Sequence, residues 1–386
     1  MRIVAVLQGL DQPGAAVTTS CVTQLEALAL QHRCSLVSDG LAPPGGTQLP
    51  VVKLRVPRFR VLRRFAHVPR QVVFILKVAQ HLCFQARADS VDLVILHSHP
   101  STALLAPVLR QLKGCKVVMT MHGDIRERPP GTYDPRLTWW YEVNTPAAYR
   151  RADAVLALSP NMARLAIDGG ASPARVHLTP HGVDAADIGL SNKPRPAIGP
   201  GLLFVGRIEY NKGVDLLIEA FCRLAPTRPN LSLTCIGSPD PSYLSELQQQ
   251  LRATGLTDRV QFLPNQHRQD LGHFYEQAAL LVVPSRSEAL STVAIEAMAA
   301  GRPVVASDTG GNPLIVTMPH TGLLFTSGDA EALTSALERL VDHPEQRLAM
   351  GEAALQDHRA RFTRQHAGET LRACIHQIGE QDSLDP

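Results

Sequence analysis

The sequence predicts an α/β protein built from two doubly wound, parallel-sheet domains. Three observations predict it. The chain has 386 residues, about twice what one hydrophobic core usually organises. Short apolar, β-branched runs alternate with helix-period segments from end to end, as in parallel strands covered on both faces. The alternation breaks at Ser191-Asn-Lys-Pro-Arg-Pro-Ala-Ile-Gly-Pro200, where Pro-rich polar composition reads as a linker. The expected division is a domain at 1–190, a linker at 191–200 and a domain at 201–386, with the last helix packing back toward the first domain.

In the first domain the expected strands are Ile3–Leu7, Ser35–Val37, Val51–Val56, Leu93–Leu96, Val117–Thr120, Ala154–Leu158 and Val176–Leu178. Between the first two lies a helix over Val17–Leu30, in which Leu25, Leu28 and Ala29 share a face. The second domain gives strands at Leu202–Val205, Leu231–Ile236, Val260–Phe262, Leu280–Val283 and Val304–Ala306. Its helices are Val214–Leu224, Tyr243–Ala253, Ala294–Ala300 and Ala330–Val341, and Leu216, Leu217, Ala220, Phe221 and Leu224 form a 3.6-period stripe. Ligands of open parallel sheets bind outside the carboxyl ends of the strands, so the cleft between the domains is the expected site.

Composition narrows the class. Apolar residues are 45% and charged residues 19%, which excludes wholesale disorder. The best membrane candidate, Val72–Ala79, is broken by Lys77, and MRIVAVLQGL reads as a buried strand rather than a signal peptide. Seven scattered cysteines, none spaced CxxC, suit a reducing, cytoplasmic setting without zinc. Residues 1–190 hold 21 Lys/Arg against 13 Asp/Glu, a balance of +8, leaving −5 for the rest. The halves therefore face different partners, and no aromatic-interleaved basic motif points to nucleic acid.

The second domain opens with Phe204-Val-Gly-Arg-Ile-Glu-Tyr-Asn-Lys-Gly213. A strand ends at Gly206, Arg207 follows, and Lys212 stands where the next helix starts. Two cations beside a helix N-terminus suit a diphosphate, although taken alone they read first as solvated loop cations. The second segment is Pro284-Ser-Arg-Ser-Glu-Ala-Leu-Ser-Thr-Val-Ala-Ile-Glu-Ala-Met-Ala-Ala-Gly-Arg-Pro-Val-Val305. Glu288 and Glu296 are eight positions apart, about 12 Å if helical, so they grip separate parts of a ligand rather than acting as a close pair. Ala294, Ile295, Ala297 and Met298 around Glu296 argue against a freely solvated carboxylate.

These segments resemble the nucleotide-sugar-binding domain of retaining glycosyltransferases of the GT-B fold, family 4. Three motifs match in order: Gly206-Arg207 with Lys212, the Glu-x7-Glu segment, and Gly310-Gly311 followed by Thr321-Gly-Leu-Leu-Phe325. The likeness covers most of 200–365. Residues 1–190 match more weakly, through Gly14, His122-Gly123 and His181-Gly-Val-Asp184. The resemblance implies that Arg207 and Lys212 hold the donor diphosphate, together with the N–H groups of Leu290, Ser291 and Thr292. It further implies that Glu296 takes the ribose hydroxyls, that Glu288 orients the transferred sugar, and that His122 lies against donor sugar and acceptor.

Three departures stand out. Pro13-Gly14-Ala15-Ala16 carries one glycine where the family has a pair, His181 replaces an asparagine, and Gly311-Asn-Pro-Leu314 lacks the usual acidic residue.

The function expected from the resemblance is transfer of a hexose, with retention, from a nucleoside-diphosphate sugar to a carbohydrate or lipid-linked acceptor in glycan biosynthesis. UDP is the favoured nucleotide. Neither metal nor other cofactor is expected, because Arg, Lys and the helix dipole stabilise the leaving group. The rivals are an epimerase or phosphorylase on the same fold, and an inactive donor-binding subunit. His97 and His99 read as satisfied histidines, with acceptor contact as the alternative. Trp139, Trp140 and Tyr141 read as core or as an acceptor surface. The basic stretch Arg55–Arg70 is a solvated loop or a site of attraction to an anionic membrane, which would make the protein peripheral.

Overall fold

The computed structural model describes residues 1–7, 16–38, 49–54, 73–74, 76–82, 91–97, 115–123, 135–190 and 201–380. Two compact units emerge: Met1–Pro180 with Ala367–Pro386, and His181–His366.

The first unit contains seven parallel strands, β1 (Arg2–Leu7), β2 (Arg33–Ser38), β3 (Val51–Lys53), β4 (Leu93–His97), β5 (Lys116–Met121), β6 (Ala154–Ala157) and β7 (Val176–Leu178). Their order is β3-β2-β1-β4-β5-β6-β7. Helices α1 (Ala16–Ala29), α2 (Pro135–Arg151) and α3 (Pro160–Asp168) accompany them. β4 and β6 are buried throughout, as continuous apolar runs in a doubly covered sheet must be. β3 spans Val51–Lys53, and the last two residues of the expected strand, 55 and 56, lie outside the described residues. Phe74, Val78 and Leu82 are buried in helical turns at 73–74 and 76–82.

The second unit contains β8 (Gly201–Val205), β9 (Ser232–Ile236), β10 (Val260–Leu263), β11 (Leu280–Val283), β12 (Val304–Ser307) and β13 (Gly322–Phe325). They too are parallel, in the order β10-β9-β8-β11-β12-β13. Its helices are α4 (Val214–Leu224), α5 (Pro241–Thr254), α6 (Leu271–Gln277), α7 (Thr292–Ala299), α8 (Asn312–Ile315), α9 (Ala330–Asp342) and α10 (Pro344–Arg361), and α11 (Arg364–Glu380) closes the chain. The expected stripe on α4 is buried at every position and packs with Leu202, Phe204 and Val282 of the sheet.

The division falls at Pro180, ten residues before the expected boundary. Hydrogen bonds give the reason. Val183 N–H donates to the Phe362 carbonyl at 2.9 Å, His358 Nε2 meets the Val183 carbonyl at 2.8 Å, and Arg364 pairs with Asp187 at 2.7 Å. Residues 181–190 are thereby tied to the second unit. The expected linker 191–200 lies outside the described residues.

After His366 the chain joins the first unit, where Leu371, Cys374, Ile375 and Ile378 share a core with Ile3, Leu25 and Leu28. Arg372 Nη1 also donates to the Ala27 carbonyl at 3.1 Å. The basic stretch Arg55–Arg70, with its expected membrane attraction, lies outside the described residues. Among the described residues no helix is long and apolar enough to cross a membrane.

Each sheet has one place where successive crossovers turn to opposite sides, between β1 and β4 and between β8 and β11. The loops leaving the carboxyl ends of those strands are where such folds bind ligands.

Candidate functional site

The switch point of the second sheet brings the two expected motifs together. The loop after β8 carries Arg207 and Lys212, and the loop after β11 carries Glu288. Lys212 Nζ lies 2.7 Å from Glu288 Oε2, a pair with side chains 20% and 14% exposed. Ser285 Oγ donates to the same oxygen at 3.2 Å. Arg207 takes a different position: it is half exposed and pairs with Glu209 at 2.8 Å. The motif's lysine is thus committed to its carboxylate, and its arginine is open to solvent.

Three residues that the sequence did not single out fix this geometry. Arg286 meets Asp215 through two bonds, of 2.8 and 2.7 Å, and donates to the Tyr210 carbonyl at 2.7 Å. Its guanidinium also stacks over the Tyr210 ring, 3.9 Å from the centroid. Tyr243 donates to Asp215 at 2.6 Å. Burial alone would raise the Asp215 carboxyl, but the Arg286 and Tyr243 bonds hold it below the usual carboxylate range. The β8 loop is in this way pinned to the β11 loop. The available signal was an arginine two residues before Glu288.

A third loop closes behind Glu288. Gly310 has φ +58°, and a Cβ there would overlap the Glu288 carbonyl. The neighbouring Gly311 N–H donates to that carbonyl at 3.2 Å. The paired glycines therefore let one backbone lie directly against another. Asn312, which follows the paired glycines, is buried and donates to the Ser307 carbonyl at 3.0 Å.

At the start of α7, Leu290 and Ser291 are buried. Among the described residues, the N–H groups of Leu290, Ser291 and Thr292 have no acceptor. Ser291 occupies the N-cap yet makes no capping bond, and its hydroxyl oxygen is buried without a partner. An unmade buried hydrogen bond costs about 1–3 kcal/mol, and a row of free amides at a helix start attracts anions. These groups fit a phosphate-bearing ligand.

Glu296 stands further along α7 and is only 4% exposed. Arg268 donates to its Oε1 through Nε at 3.2 Å and Nη2 at 2.9 Å, and Tyr275 donates to Oε2 at 2.8 Å. Burial pushes this carboxyl up, opposed by the Arg268 charge and the two donors. The two glutamates of the motif have separate partners: Lys212 and Ser285 for Glu288, Arg268 and Tyr275 for Glu296.

His181 is pushed down to about 4 by burial and by the Arg268 charge. The unfolded chain takes up this proton near pH 6.5, whereas the folded chain resists it until about pH 4. Stability from His181 is thus present above pH 6.5 and lost as the pH falls toward 4. Between pH 7 and 4.5 the stability of the wild type should fall by about 2–3 kcal/mol relative to His181→Gln. Denaturant midpoints of both proteins at the two pH values measure this. A pH-independent difference would refute it.

In the first unit, His122 follows β5 and is half-buried. Its Nε2 lies 3.0 Å from Nδ1 of His97, which ends β4 and is 1% exposed. The rings stack with centroids 5.3 Å apart. Through its Nδ1, His97 is thus tied to His122. Trp139 is 61% exposed and so is not core. Gly14, His99 and the side chains of Trp140 and Tyr141 lie outside the described residues.

Comparison with known proteins identifies the family. Residues 193–357 match "Glycosyl transferases group 1", and residues 14–182 match "Glycosyl transferase 4-like domain". The chain belongs to the group 1 glycosyl transferases. Among its relatives in this family, a D-inositol 3-phosphate glycosyltransferase of Thermobifida fusca is 31% identical over 72% of this chain. Another, from Rhodococcus erythropolis, is 36% identical over 52%. The chain spans 66% and 48% of those two relatives' own lengths.

Two solved structures show the GT-B fold of the family. Sucrose-phosphate synthase from Thermosynechococcus elongatus superposes with a TM-score of 0.79 at 21% identity, covering 98% of each chain. Anabaena Alr3699/HepE in complex with UDP-glucose gives 0.72 at 20% identity, covering 99% of each.

Proposed function

We propose that this chain is a retaining, metal-independent hexosyltransferase that uses a nucleoside-diphosphate sugar, with UDP as the nucleotide. The observation that carries the reading is the unbonded amide row at 290–292 with its orphaned Ser291 hydroxyl. Those amides open α7 after the β11 loop, which also holds the Lys212–Glu288 pair at the sheet's switch point. The amides and Lys212 would receive the diphosphate, with Arg207 adding charge from its exposed position.

Together they stabilise the charge that develops on the leaving phosphate, the part that a metal ion plays in other transferases. Glu288, held by Lys212 and Ser285, accepts hydroxyls of the transferred sugar, and Glu296 those of the ribose. His122, oriented by His97, assists at the reacting centre. Catalysis on this reading rests on positioning and charge stabilisation. UDP is favoured because Anabaena Alr3699/HepE was solved with UDP and with UDP-glucose.

The acceptor is a carbohydrate or lipid-linked glycan, and the relatives' names add D-inositol 3-phosphate as a probe. The test is incubation with UDP- and GDP-sugars, with and without acceptors, scored for free nucleoside diphosphate and for the anomer of the product. Release that depends on acceptor, survives excess EDTA and keeps the anomeric configuration is the expected result. Activity abolished by EDTA and restored only by Mg²⁺ or Mn²⁺ would overturn metal independence. Conversion of the sugar without release would indicate an epimerase, and binding without turnover an inactive subunit.

A further inference from the structure

Glu296 is an expensive residue where it stands. It lies on α7 between Ile295 and Ala297, both fully buried, and its own side chain is 5% exposed. For stability alone, an apolar residue of similar volume serves such a position as well or better. Tyr275 presents the same puzzle. It is 0% exposed on α6, where phenylalanine would fill the core without a hydroxyl to satisfy. The hydroxyl's bond is to Glu296 Oε2, at 2.8 Å. Arg268, just before α6, spends two N–H groups on Oε1 and remains 32% exposed. A carboxylate offers about four lone-pair positions. Three are taken by these donors, both on Oε1 and one on Oε2.

We infer that Tyr275 and Arg268 are positioning residues for nucleotide recognition. They hold Glu296 so that the remaining lone pair of Oε2 accepts a single ribose hydroxyl. This rests on the reading that Glu296 faces the ribose. It makes preference for a ribonucleotide a property of the α6 segment, whose Arg268 and Tyr275 stand 28 and 21 positions before Glu296, and not of the glutamate alone. The neutral side chain of glutamine could keep the shape of the site, but would present an amide N–H or a weaker acceptor to the hydroxyl.

The experiment is calorimetric binding of UDP, of its 2′-deoxy and 3′-deoxy forms, and of pyrophosphate to the wild type, Tyr275→Phe and Glu296→Gln, with the GDP series run in parallel. The wild type should bind the ribonucleotide at least about tenfold more tightly than one deoxy form. Tyr275→Phe should lose about tenfold in affinity for the ribonucleotide, bring the two forms within about threefold, and leave pyrophosphate binding unchanged. A Tyr275→Phe protein that keeps the wild-type ratio overturns the inference. So does one that loses pyrophosphate binding in equal measure, because that marks a merely structural role.

If Glu296→Gln also keeps the ratio, or the wild type shows none, then the ribose reading itself fails. Loss of the ratio in Glu296→Gln alone isolates the failure to Tyr275 and Arg268. Should Tyr275→Phe not fold, Arg268→Lys carries the same test, at a side chain that is already a third exposed.

Discussion

Lys212→Ala is expected to lower kcat/KM by about tenfold to a hundredfold. A hydrogen bond to a charged group is worth roughly 1.5–3 kcal/mol, and each 1.36 kcal/mol of barrier is a factor of ten. Lys212 contributes twice. It supplies a cation to the diphosphate, and its 2.7 Å bond holds Glu288 in place. Arg207→Ala should cost less, about threefold to tenfold, because a half-exposed guanidinium is screened by solvent. Steady-state kinetics on both variants, with thermal melts to confirm folding, make the comparison. Unchanged kinetics in folded Lys212→Ala would remove this lysine from the site, and a larger loss in Arg207→Ala would reverse the assigned roles.

Gly310→Ala should destabilise the second unit by about 3 kcal/mol or more and abolish most activity. The left-handed backbone costs an alanine about 1–2 kcal/mol. The new methyl would also overlap the Glu288 carbonyl, so the β11 loop has to move. Gly255→Ala separates the two effects. It has φ +68°, a similar conformation, with nothing within 4 Å of the added Cβ. That variant should lose only the conformational part, with activity intact. Denaturant unfolding and kcat/KM on the pair provide the measurement. Equal losses would show that close approach to Glu288 contributes nothing.

Most strands were readable because, β3, β7 and β10 apart, they are largely buried on both faces, which leaves short uninterrupted runs of Val, Ile and Leu. The helix Val214–Leu224 was readable to the residue because its stripe is aliphatic and aromatic. α10 was not anticipated. Its buried stripe is Arg347, Met350, Gly351, Ala354 and His358, helical in spacing but not apolar in character. Arg347 is buried because it donates to the Leu340 and Val341 carbonyls at the end of α9, seven and six positions back, a bond between two helices that apolar periodicity does not register. The domain boundary was misplaced for a similar reason. The eye goes to the prolines at 194–200, whereas residues 181–190 are fastened by bonds to residues about 175 positions away.

Sequence by itself determined the fold class, the order of most elements, and the loops that carry the candidate chemistry. Those follow from local periodicity and from residue types at fixed spacings. Only the tertiary structure decided what each side chain does there. Lys212 bonds a carboxylate 76 positions away, Arg286 ties two loops through Asp215, and Tyr275 with Arg268 takes up three of the four lone pairs of Glu296. These partners come from different crossovers of one parallel sheet. Strand order, not distance along the chain, places their loops side by side, and a buried polar group takes its partner from whatever the packing brings within about 3 Å.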